Sequence, residues 1–76
     1  MADKFLDTSG LRCPLPILKA KRALADVSPG GTLEVVSTDP GAGADFEAFC
    51  QVTGHTLVSS GGRDGEFRFV IRKKAA

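Results

Sequence analysis

The spacing of apolar residues changes along the chain, and each change marks an element. KFLD, residues 4–7, predicts a short first strand, and TSGL behind it reads as a turn. From Pro14 to about Asp26, Ile17, Ala20, Leu24 and Val27 recur at helical spacing while Lys19, Arg22 and Asp26 fall on the other side. That pattern predicts an amphipathic helix, which SPGG at 28–31 ends. TLEVVS, 32–37, is β-branched and alternating, a second strand. TDPGAG is a loop into a second helix of about 43–53, with Phe46, Phe49, Cys50 and Thr53 on one face and Gly54 at its C-terminal cap. HTLVSS, 55–60, predicts a third strand, GGRDG a hairpin turn, and EFRFVIRK, 66–73, a fourth strand. In the last of these Phe67, Phe69 and Ile71 alternate with Arg68, Val70 and Arg72.

The element order is therefore βαβαββ. Parallel strands joined through helices cross over right-handed, which puts both helices on one face of the sheet. The fourth strand agrees, with phenylalanines toward the helices and arginines toward water. The expected fold is an α/β (α+β) two-layer sandwich with a mixed sheet. It is one domain over residues 1–76, with a modest core, because a chain this short buries only about 60% of its extended surface.

Composition narrows the function classes. The chain is 42% hydrophobic and 25% charged, with a formal net charge of +1. That balance gives no general drive toward nucleic acid or membrane. No apolar run approaches the ~20 residues that span a bilayer, and the opening MADKFLD has no signal-peptide core, so the cytoplasm is the expected place. There the two cysteines, Cys13 and Cys50, stay reduced. They lack the spacing of a zinc site or a C-x-x-C redox motif, so no metal and no dissociable cofactor are expected.

Cys13 carries the chemistry. It stands before Pro14 and Pro16 at the opening of the first helix. Helix-opening residues have N–H groups without intrahelical partners, so proline loses nothing there. The spacing predicts Pro14 at the first helical position, Pro16 two residues on and Cys13 as the N-cap. The Leu15 amide is then the obvious donor to the sulfur, and the helix end and Arg12 favour the thiolate. Serine, threonine, asparagine or aspartate would cap better, which turns the reading of Cys13 from a mere cap to an exposed nucleophile on a stiff mount. Cys50, mid-helix beside Phe49, reads as a small core hydrophobe. His55, past the second helix, belongs at the opposite edge as a helix-end cation and out of reach of Cys13.

These residues resemble a known family. LDTSGLRCPLPILKAKRAL, with its Cys-Pro-x-Pro, is similar to the signature of the TusA/SirA-like sulfur carrier family. STDPGAGADFEAFCQVTGHTLV resembles the second family stretch through Asp39-Pro40, Asp45, Phe49-Cys50 and Gly54-His55. The resemblance implies strand order 1-2-4-3. It also implies that Cys13 takes sulfane sulfur as a persulfide from a cysteine desulfurase or a rhodanese and passes it to an acceptor protein's cysteine. Family outlets include tRNA thiolation, molybdenum-cofactor biosynthesis and sulfur-energy metabolism. Arg12, Pro14, Leu15 and Pro16 are the expected persulfide-holding residues. Gly10, Leu11, Lys19, Arg22 and Asp39 are the expected partner contacts, for a monomeric carrier. The residue between the prolines is often acidic in tRNA-thiolation members and is Leu15 here, which makes this edge less negative.

Two other readings stand beside the carrier. A thiol redox regulator is compatible with a low-pKa Cys13. An RNA-binding module is compatible with the topology, which the C-terminal domain of a translation initiation factor shares. Its footprint would be Lys4, Arg68, Arg72, Lys73 and Lys74, but acidic residues nearly cancel the basic charge and no aromatic is expected on the open face.

Overall fold

A computed structural model describes residues 3–75, so the outermost residues of the expected 1–76 domain lie outside it. The strands are β1 (Lys4–Thr8), β2 (Thr32–Ser37), β3 (Thr56–Arg63) and β4 (Glu66–Arg72), and the helices are α1 (Leu15–Ala25) and α2 (Ala42–Thr53). They form one four-stranded sheet in the order β1-β2-β4-β3. β1 and β2 are parallel, and β4 runs antiparallel to both β2 and β3. α1 packs on β1 and β2, α2 packs on β3 and β4, and the helices touch each other. Both helices cover one face of a mixed sheet, as the alternation in the sequence predicts.

The alternation of β4 sets the layers. Phe69 and Ile71 are buried under the helices, whereas Arg68 and Arg72 stay on the solvent side. Arg68 pairs there with Glu34 at 2.9 Å and Glu66 at 3.3 Å, exposed contacts of little weight in stability. Phe46 of α2 meets Phe69 with ring centroids 4.9 Å apart. Burial of each such ring stabilises by roughly 1.5–3 kcal/mol. Ala20, Ala23 and Leu24 of α1 complete the core with Leu33 and Val35 of β2. No helix among the described residues is long and apolar enough to cross a membrane.

The third strand differs from its sequence reading. It extends through Gly61 and Gly62 to Arg63, pairing as far as Arg63 with Glu66. The turn is only Asp64-Gly65, with φ of 54° and 80°, the positive pair that a two-residue hairpin turn requires. Gly62 belongs in the strand because a Cβ there would collide with the Phe67 ring.

Parallel β1 and β2 end at the same edge, and both helices therefore begin there. The β3–β4 turn returns to that edge, since Phe67 pairs with Ser37. Thr56, Arg72 and Thr32 mark the opposite edge.

Candidate functional site

The shared edge is assembled by short polar contacts. Thr8, at the end of β1, is fully buried, and its hydroxyl donates to the Val36 carbonyl at 2.6 Å. Gly10 then turns the chain with φ of +82°. Its N–H donates to Thr38 Oγ1 at 2.8 Å, and the Leu11 N–H donates to the Thr8 carbonyl at 3.1 Å. The chain arrives at Cys13, whose N–H donates to Asp39 Oδ2 at 2.7 Å. Asp39 Oδ1 accepts the Gly41 N–H at 3.0 Å, and the Asp39 carbonyl accepts the Ala42 N–H at 3.0 Å. Asp39 thus fastens the thiol's loop to the start of α2.

Cys13 is exposed and unpaired, and Cys50 is buried and unpaired. The expected cap geometry needs correction. Pro14, at φ −96° and ψ 14°, holds the N-cap position, and α1 begins at Leu15. The Cys13–Pro14 peptide bond is cis. The Leu15 N–H donates to the Arg12 carbonyl at 2.8 Å, so it does not serve the sulfur. Neither proline has an N–H to satisfy, and once Leu15 has found a backbone partner the helix start asks little of a side-chain cap.

The expected acidity of the thiol is reversed as well. The Cys13 pKa lies above the ordinary cysteine value, first because the Asp45 carboxylate stands beside the thiol, then through partial desolvation and the negative charge of Asp39. A thiolate would face two carboxylates. Arg12 is exposed and is not among the groups that act on the sulfur.

Asp45 lies in the first turn of α2, where a helix favours negative charge. The sequence reading does not place it among the site residues. The sequence held part of the signal, because both helices start at one edge, but only their packing brings the opening turn of the second against the residue that opens the first. Cys13, Asp39 and Asp45 bring one donor atom each to within 4.8 Å of one another. Both Asp39 oxygens already accept backbone N–H groups, so the trio does not present three free ligands to a metal ion.

A shallow groove of about 340 Å³ runs from Cys13 between the helices, lined by Pro14, Ile17, Asp45, Ala48, Phe49 and Val52. It is almost wholly apolar, and the sequence reading missed it because its walls come from two helices. Gly10, Leu11, Arg12 and Asp39 line a separate recess with Thr38 and Pro40. Lys19 and Arg22 lie elsewhere, on the outer surface of α1 with Leu15 and Leu18. Pro16 is fully buried. Its part is to anchor α1, and neither it nor the Leu15 amide holds the sulfur.

Burial raises the Cys50 pKa. His55 sits at the far edge as expected, but not as a cation. Its Nδ1 accepts the Lys74 N–H at 3.0 Å, its ring lies 5.8 Å from that of Phe49, and burial followed by Lys74 and Lys73 pushes its pKa down.

Comparison with known proteins follows the same lines. A family model described as sulfurtransferase TusA matches residues 4–73. The sulfur carrier protein TusA of Allochromatium vinosum is 51% identical over 71 residues, covering 93% of each chain. The protein of the same name from Pseudomonas paraeruginosa is 41% identical over 73 residues, covering 96% of this chain and 92% of the other. In fold, a solved SirA-like protein from Desulfitobacterium hafniense aligns with a TM-score of 0.81 at 22% identity, over 93% of this chain and 97% of that one.

Proposed function

Because the chain belongs to the TusA sulfurtransferase family of sulfur carriers, we propose that it carries sulfane sulfur as a persulfide on Cys13. The observation that carries this reading is the contrast in exposure, since Cys13 stands open at a helix-start edge while Cys50 is buried. The family function implies a sulfur donor and a sulfur acceptor in general terms. As donor we place a protein that holds its own persulfide or generates one, such as a cysteine desulfurase or rhodanese, and as acceptor a protein thiol.

In loading, the Cys13 sulfur attacks the outer sulfur of the donor's persulfide. The donor's S–S bond breaks, its inner sulfur leaves with the electron pair, and that thiolate takes the proton Cys13 gives up. Discharge is the same exchange with the acceptor thiol attacking the outer sulfur of Cys13. No external oxidant or cofactor enters either step. The outer sulfur projects about 2 Å beyond Sγ, one S–S bond length, so an open edge suits both exchanges. The two unpaired thiols fit a reducing compartment, and the cytoplasm is where we place this relay. The redox-regulator reading is not favoured, because the relatives that this chain matches are named sulfur carriers.

The test is intact-mass measurement after incubation with cysteine and a desulfurase, or with thiosulfate and a rhodanese. The expected product gains one sulfur atom and loses it to a thiol reductant. Cys13→Ser abolishes the gain and Cys50→Ser retains it. Absence of the gain with both donors, or its persistence in Cys13→Ser, overturns the reading.

A further inference from the structure

Resting on that assignment of Cys13, we propose that Asp45 is a specificity-determining residue of sulfur transfer. Its carboxylate faces the Cys13 sulfur with no cation among the described residues paired to it, and efficient loading requires a donor that brings a cationic side chain to the Asp39–Asp45 pair. The three side chains stand within 4.8 Å of one another. Asp39 is committed to the Cys13 and Gly41 amides. Among the described residues the Asp45 carboxylate has no basic partner, since the ion pairs found are Lys4–Asp26, Arg68–Glu34 and Arg68–Glu66.

The charges facing the sulfur are few. From its own loop the neighbour is Arg12, which lines the recess on the Pro40 side. From the β2–α2 loop it is Asp39, and from α2 it is Asp45. α1 offers Pro14 and Ile17 beside the sulfur, and the groove continues through Ala48, Phe49 and Val52. Lys19, Lys21 and Arg22 belong to a different surface of α1. Arg12 lines the recess and is not among the groups acting on the sulfur, so among the described residues no cation offsets the two carboxylates.

The chemistry follows from that imbalance. The thiolate is the attacking species in persulfide exchange, and a carboxylate oxygen within 4.8 Å of the sulfur favours the thiol instead. Anionic and neutral reagents in solution therefore meet a protonated, slow sulfur. A docked ammonium or guanidinium that pairs with Asp45 reverses the local charge, and the proton then leaves with the donor's departing thiolate. Once loaded, the negative charge moves to the outer sulfur, farther from the carboxylates. Asp45 acts through Cys13 and makes no bond to the sulfur being transferred.

The pH profile of alkylation by iodoacetamide, read by intact mass, tests the hold on the thiol without any donor. In the native chain the midpoint lies above that of the same chain unfolded in urea. Asp45→Asn moves it to lower pH and speeds alkylation at pH 7 several-fold, approaching tenfold for each unit of pKa relieved. Asp45→Glu stays slow. In the second arm, inorganic polysulfide serves as an anionic donor and a desulfurase with cysteine as the protein donor. Asp45→Asn gains several-fold with polysulfide and does not gain with the desulfurase. A native midpoint at or below that of the unfolded chain, an unshifted profile in Asp45→Asn, or equal gains with both donors overturns the proposal. If no donor loads the native chain while the alkylation profile shifts as stated, the persulfide reading fails and the Asp45–thiol contact stands.

Discussion

Cys13 and Cys50 occupy opposite environments, yet both favour the protonated thiol. At the helix-start edge Cys13 is exposed, and its shift comes first from one neighbouring carboxylate, that of Asp45. In the core Cys50 is 5% exposed on the inner face of α2, and its shift comes from desolvation. The same direction therefore hides two mechanisms. One isosteric substitution, Asp45→Asn, relieves the first-named cause of the first. Only letting water into the core reverses the second, because its cause is the cost of a charge in an apolar interior.

The strongest way to break this contrast is to open the core. Phe46→Ala removes a fully buried ring beside Phe69, and the expected cost is about 3–5 kcal/mol by urea unfolding. Cys50 then becomes alkylatable in native buffer, while the Cys13 profile keeps its midpoint. Next in size is Cys50→Ser, which buries a hydroxyl in an apolar site and costs about 1–3 kcal/mol. Cys13→Ser leaves the unfolding midpoint unmoved, and an equal loss in both serine variants would erase the distinction drawn above.

A smaller effect sharpens the comparison through pH. The Cys50 pKa is raised on folding, so its contribution is fully present below the unfolded cysteine value of about 8.5 and is lost as pH rises through the folded value. Urea midpoints measured from pH 7 to 10 should decline, and the decline should be shallower in Cys50→Ala. The smallest effect belongs to His55, whose pKa is lowered on folding. Its contribution is present above the unfolded value of about 6.5 and fades as pH falls below it. His55→Gln should flatten stability between pH 7 and 5, and an unchanged slope there would show that the ring titrates no differently when folded.

Much of the architecture was legible because single elements state their own faces. Phe67, Phe69 and Ile71 announce one side of β4, and Asp64-Gly65 announces a tight turn, although the wider GGRDG reading shortened β3 by three residues, Gly61, Gly62 and Arg63. The site was legible only in part. Cys13 at an exposed edge follows from the two prolines and the topology. The pairing of its loop with Asp39, the Asp45 contact and the apolar groove all depend on how two helices, remote in sequence, settle against each other. The error in thiol acidity has the same origin. Local rules for a helix start weigh the amides and the dipole, while the deciding charges arrive from the next helix.

The double engagement of Asp39 has a consequence for encounters. One carboxylate ties the amide of Cys13 and that of Gly41 at 2.7 and 3.0 Å, so the reactive loop is already immobilised before any visitor arrives. The entropy of ordering that segment is charged once, to folding, and is not charged again at every collision. A sulfur carrier, which meets a donor and an acceptor in turn, gains from this in release as much as in capture. A contact patch rigid beforehand recognises its shape from few interactions, and few interactions let go quickly.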